Sequence, residues 1–237
     1  MSAVAVSIAT AFRLIVGGDP VLLRTVALSF AVSGTACLIA AAFGLVAGAW
    51  LAIAIFPGRR VVLLALDTLL ALPSVVVGLV VYLALSRSGP LGSWGILFTP
   101  AAMVIAQTIL VVPVVAALAR QVVVDALRDG GDQLWSMGAG PLLGAMLLLL
   151  HERWAVVTLL LIAFGRAISE VGAVMIVGGN IDGVTRVMTT TIALETSKGD
   201  LPLALALGLV LLAVVALVNV LIAFIPRGRG LAVAELR

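Results

Sequence analysis

Two charged residues sit inside an otherwise apolar run. Arg166 and Glu170 fall four positions apart within Trp154 to Gly178, a spacing that on a helix places both on one face with Ser169 on the adjoining turn. Charges there are costly unless paired or facing a watery cavity, so they read either as an ion pair pinning neighbouring helices or as part of a passage for ions. Further on, Gly178-Gly179-Asn180-Ile181-Asp182-Gly183 forms a turn-rich loop leading into Thr185, Arg186 and the polar run Thr189-Thr190-Thr191. "ETSKGD", with Glu195 and Lys198, follows; its mixed charge suits a solvated connector or a docking surface for a partner. Enzyme chemistry finds little here. Lys198, the only lysine, stands between Ser197 and Gly199, the wrong order for a nucleotide-binding phosphate loop. A single His and a single Cys exclude an ordinary zinc site, no Ser/His/Asp arrangement is suggested, and no cofactor of its own is expected.

The elements that must position these residues are membrane spans. The chain is 63% hydrophobic and 11% charged, whereas soluble domains carry roughly 25% charged residues. Thr25–Gly58, Thr68–Ser86, Ser88–Ala119 and Leu201–Pro226 hold no Asp, Glu, Lys or Arg, and each is long enough to span a bilayer. These runs are continuous rather than alternating, which favours helices over a β-barrel. The expected fold is all-α: a polytopic transmembrane bundle forming one domain over 1–237. Its five core spans lie at about Val21–Ile55, Val61–Ser86, Phe98–Val124, Trp154–Gly178 and Leu201–Ile225. The first, about 52 Å long against a ~30 Å hydrocarbon core, must protrude, tilt or break near Gly44 or Gly48, and a break or an N-terminal crossing would make six. Pro73 and Pro113 read as kinks, and Gly44 and Gly78 as helix-packing positions.

Residues 1–20 read as an interfacial segment rather than a signal peptide, because Arg13 interrupts a short and weakly basic apolar stretch. Placing the Pro57-Gly58-Arg59-Arg60 turn inside puts eight basic residues in the cytoplasm and five outside, with the 226–237 tail cytoplasmic. Basic residues are scattered at span ends, so the formal charge of +3 reflects topology and not a nucleic-acid surface. Cys37, alone in an apolar run, is expected to pack and not to react.

One stretch resists assignment as a span. "DGGDQLWSMGAGPLLGAMLLLLHERW", residues 129 to 154, enters through an acidic Gly-rich segment and leaves through His151, Glu152 and Arg153, with no turn residue to make a hairpin at "HERW". From Asp132, the pattern Asp-Gln-Leu-x-x-x-Gly138, nine positions, then Leu148-x-Leu150-His151 falls on the spacing of E-A-A-x3-G-x9-I-x-L-P. That motif marks the permease subunits of binding-protein-dependent ABC importers. Asp132 stands for Glu, Leu148 for Ile and His151 for Pro. "LDTLLALPSVVVGLVVYLALSRSGPLG" (Leu66–Gly92) and "GRAISEVGAVMIVGGNIDGVTRVMTTTIALETSKGD" (Gly165–Asp200) also resemble the oxyanion permeases for molybdate, sulfate and tungstate, the second segment most of all the tungstate branch.

The resemblance implies that 125–151 is a cytoplasmic coupling segment, in which Gly131, Asp132, Gln133, Leu134, Trp135, Met137 and Gly138 seat a short helix in a groove of an ATPase. Physically, the two glycines would free the chain after the preceding span, Asp132 suits a helix N-terminus, and Trp135 and Met137 offer apolar anchors. Pro141 to Leu150 would lie at the inner membrane edge. A homodimer with two ATP-binding cassette ATPase subunits, which bind ATP and Mg, is implied in a bacterial or archaeal cytoplasmic membrane. An extracytoplasmic oxyanion-binding protein would dock on Asn180, Asp182, Thr185, Arg186, Glu195 and Lys198. Arg166 would then help to form the pathway or gate of a divalent oxyanion. A self-contained secondary carrier using Arg166 and Glu170 as an ion relay is the alternative.

Overall fold

The structure, a computed structural model, describes the backbone of residues 3–136 and 140–225; side chains at 3–7, 11, 14 and 129–136 fall outside that description. The helices are α1 (Ala3–Gly17), α2 (Pro20–Ile53), α3 (Arg59–Leu70), α4 (Ser74–Leu85), α5 (Pro100–Ser136), α6 (Pro141–His151), α7 (Arg153–Ile168), α8 (Gly172–Gly178), α9 (Met188–Lys198) and α10 (Leu201–Phe224). One 3-10 turn, Gly92–Trp94, precedes α5, and no strand occurs among the described residues. Three helices, α2, α5 and α10, are long and apolar enough to cross a membrane; counting α3 with α4 and α6 with α7 as bent spans makes five. This is a polytopic helical membrane bundle.

Helix ends follow local chemistry. Gly18 takes φ 64°, and the Asp19 carboxylate then accepts the backbone N–H groups of Val21 (2.9 Å) and Leu22 (3.0 Å), so that α2 begins at Pro20, whose missing N–H costs nothing at that position. At the other end of α2, Gly58 turns the chain with φ 87°, Arg59 Nη2 donates to the Leu51 carbonyl at 3.1 Å, and Trp50 stacks on Phe56. Pro73 is the N-cap of α4 at the 98° bend between α3 and α4, while Pro113 lies inside the unbroken α5.

Several expectations are corrected. The first span does not break near Gly44 or Gly48: α2 runs from Pro20 to Ile53 without interruption. Gly130 and Gly131 do not free the chain either, because α5 continues through them to Ser136. A glycine in a helix costs only about 1 kcal/mol relative to Ala, which a long cooperative helix tolerates. "HERW" turns without a turn residue, as α6 and α7 meet at 81° around Glu152. This is a right-angle bend rather than a hairpin.

The chain gathers into two compact units, each assembled from three separate stretches. One comprises Met1–Ala36, Pro73–Gln107 and Gly165–Asn219; the other comprises Cys37–Leu72, Thr108–Phe164 and Val220–Arg237. In the second, glycines bring α2 onto α5. A methyl group at Gly44 would stand 2.8 Å from Val115 Cβ, and one at Gly48 would collide with the Ala116 carbonyl oxygen. Numbers rise together along both helices, so α2 and α5 run parallel there. Leu51, Leu66 and Ala116 close the contact, and buried Cys37 points its thiol at the Leu160 carbonyl, the packing role expected of it.

In the first unit, α4 packs on α8 through Gly78, where a methyl would meet Ala173 Cα at 2.7 Å. Packing this close transmits displacement, since neither backbone has room to yield. Gly48→Ala should therefore lower the thermal midpoint in detergent by an amount corresponding to about 1–3 kcal/mol of overpacking. Gly34→Ala, on α2 with nothing within 4 Å, should be neutral or slightly stabilising. Equal effects of the two substitutions would contradict the assigned α2–α5 contact.

Candidate functional site

The residues singled out by chemistry gather in the first unit, around a break in a helix. α7 ends at Ile168 and α8 starts at Gly172, so Ser169, Glu170 and Val171 lie in an interruption of the apolar run. Four backbone groups at the break bond side chains. Gln107 Nε2 donates to the Ala167 carbonyl at 2.9 Å, Ser169 Oγ to Gly165 at 2.8 Å, and Thr189 Oγ1 to Glu170 at 2.8 Å. The Glu170 carboxylate accepts the Ala173 N–H at 3.3 Å, which gives α8 an anionic start.

Arg166 and Glu170 consequently do not form the expected pair. The i, i+4 relation holds only along a continuous helix, and this one stops between them. Glu170 is half-buried on the α7–α8 connection; Arg166 is exposed on the chain surface, with no ion-pair or hydrogen-bond partner among the described residues.

Beyond α8 the chain makes a tight loop. Gly179 (φ 67°), Asn180 (φ 50°) and Gly183 (φ 70°) adopt the left-handed conformation, which glycine and asparagine tolerate. Thr185 closes the loop: its hydroxyl donates to the Gly178 carbonyl and accepts the Ile181 N–H at 2.9 Å. Asn180 Nδ2 reaches the Thr190 carbonyl at 3.3 Å, and Thr190 and Thr191 bond the backbone of Val187 at the start of α9. Ser29 of α2 then ties this start down, its Oγ accepting Met188 N–H at 2.8 Å and donating to the Thr25 carbonyl at 2.7 Å.

The six residues expected to meet a partner therefore divide. Thr185 is fully buried and Glu195 is 6% exposed, so neither can form a docking surface. Thr185 is consumed in closing the loop, and Glu195 is held by Lys198 at 3.0 Å on the inner side of α9, a helix where the sequence suggested a polar connector. Asn180 is half-buried and structural. Asp182, Arg186 and Lys198 remain accessible, with Asp182 and Arg186 paired at 3.1 Å.

These two line a cavity of about 500 Å³ with Pro20, Arg24, Thr25 and Gly183. Arg24 was legible in the sequence only as a charge at a span end. Asp182 and Arg186, which line the same cavity, lie about 160 positions away, and no local spacing connects them to it. Of the coupling residues, Gly131, Asp132, Gln133, Leu134 and Trp135 belong to the far end of α5, with side chains outside the description. Met137 and Gly138 lie outside the described residues altogether.

No family model matches the chain. It is, however, 44% identical over 205 residues, 84% of this chain and 88% of the relative, to a protein of Haloferax volcanii described as a probable anion ABC transporter permease protein. The tungstate uptake system permease protein TupB of Peptoclostridium acidaminophilum is 42% identical over 226 residues, 94% of this chain and 97% of the relative. The sulfate transport system permease protein CysW of Escherichia coli is 33% identical over 181 residues, 70% of this chain and 60% of the relative. With identity above 40% to relatives matched over 84% and 94% of its length, the chain belongs to the family of anion ABC transporter permease proteins.

Proposed function

We propose that this chain is the membrane-spanning subunit of an ATP-driven importer that carries tungstate, or a related tetrahedral oxyanion, into the cytoplasm. The observation that carries the reading is the likeness to a tungstate uptake permease over 94% of the chain. Sulfate permeases, at 33% identity, keep molybdate and sulfate as the alternative substrates. On this reading the chain hydrolyses no ATP itself. ATP and Mg bind on two partner ATPase subunits, a second copy of this chain completes the pathway, and an extracytoplasmic binding protein delivers the anion. The C-terminus then faces the cytoplasm.

The shape of α5 supports this arrangement. Its 37 residues span about 55 Å, some 25 Å more than a ~30 Å hydrocarbon core. A continuous rod therefore links the membrane interior to Asp132 and the segment leading to Gly138. Motion of a docked ATPase would reach the spans through that rod and through the right-angle start of α7, rocking the pathway between its two faces. Arg166, unpartnered among the described residues, would face water or the second copy, since a bare guanidinium is not left against lipid tails. An ion relay between Arg166 and Glu170 loses its basis, because Glu170 lies off α7 and caps α8.

Gly138→Arg should reduce retention of the ATPase on the purified permease by about 30-fold, the loss of one interface contact of ~2 kcal/mol. Normal ATPase co-purification and normal tungstate uptake in that variant would remove the coupling role from this segment. Vesicles holding the permease, ATPase and binding protein should accumulate tungstate only when ATP is enclosed. Accumulation driven by an ion gradient with the ATPase omitted would favour a secondary carrier instead.

A further inference from the structure

The cavity beside the first turns of α2 is lined by two guanidiniums and one carboxylate, and these three charges are committed unequally. Arg24 has no ion-pair or hydrogen-bond partner among the described residues. Arg186 lies mostly inside, 18% exposed, and its Nε–H is buried without an acceptor there. Asp182, which holds Arg186 at 3.1 Å, is 76% exposed, so it can swing into water at little cost, as an exposed ion pair is weak. The helix end contributes nothing directly, because Asp19 already occupies the N–H groups of Val21 and Leu22.

We propose that this cavity is a transit site for a tetrahedral oxyanion, held between Arg24 and Arg186 on its way to the translocation pathway. It rests on the reading of the chain as an oxyanion importer subunit. Asp182 acts as the placeholder: its carboxylate keeps the Arg186 fork oriented, and an arriving dianion, with twice the charge and oxygens on several sides, takes Arg186 from it while also engaging Arg24. The cavity holds on the order of fifteen water volumes at ~30 Å³ each, so the anion enters with part of its hydration shell. Incomplete desolvation keeps the site weak, as a transit site must be if the ion is to leave again. The bond between Met188 and Ser29 holds the α8–α9 loop against α2 and the bond from Thr185 to Gly178 closes that loop, so that both arginines line one cavity.

Equilibrium dialysis of the purified full-length permease with sodium tungstate tests the site, with bound tungsten measured by mass spectrometry and docking of the binding protein measured separately. Arg24→Gln and Arg186→Gln should each weaken tungstate binding by about tenfold, Asp182→Asn should tighten it, and Arg13→Gln, an exposed arginine outside the cavity, should leave it unchanged. Circular dichroism and gel filtration confirm that each variant is folded. Binding equal to wild type in both Arg24→Gln and Arg186→Gln overturns the proposal, as does a loss confined to docking of the binding protein. Uptake of tungstate by the wild-type complex reports separately on the importer reading, so a cavity that binds nothing in a transporter that works sinks only the transit site.

Discussion

Inside a bilayer no water is available to satisfy a backbone amide or carbonyl, so wherever a span is interrupted a side chain must take its place. That requirement organises the first unit. The interruption between α7 and α8 persists because Gln107, Ser169, Thr189 and the carboxylate of Glu170 bond the groups it releases. The loop after α8 persists because Thr185 spans it and Ser29 anchors its exit. Residues that look like polar equipment for a partner are in large part repairs to a broken backbone, and the accessible charges stand where these repairs leave them.

Glycine plays the complementary part. Gly44 and Gly48 let α2 lie directly on α5, and Gly78 and Gly172 let α4 lie on α8, with backbone atoms closer than any side chain would permit. Helices in such contact move as one body, a property that a transporter driven from outside the membrane requires. On the proposed coupling role, an α5 that continues through Gly130 and Gly131 would carry a push to the spans, where a flexible joint would dissipate it.

The broad architecture could be read from the sequence because hydropathy is a one-dimensional property. Runs such as Leu201–Phe224 and Thr25–Gly58 contain their own reason for lying in a membrane. The turn at Gly58 was equally visible, being set by residues within four positions of one another. Arg166 with Glu170 shows where this reasoning stops. Their spacing predicts a pair only while the helix continues, and continuity there depends on Gln107 and Thr189, which lie 60 and 19 residues away from the carbonyls they bond.

The sequence by itself determined the class of the protein and the family it resembles, because both follow from composition or from short-range order. Only the tertiary structure decided which polar residues are free to act. Glu195 and the threonines around the α8–α9 loop turned inward, Asp182 stayed exposed with Arg186 partly so, and Arg24 joined them from a helix far away in the chain. The reason is physical: a side chain's availability depends on every backbone group and carboxylate competing for it, and those competitors are brought together by folding, not by proximity in sequence.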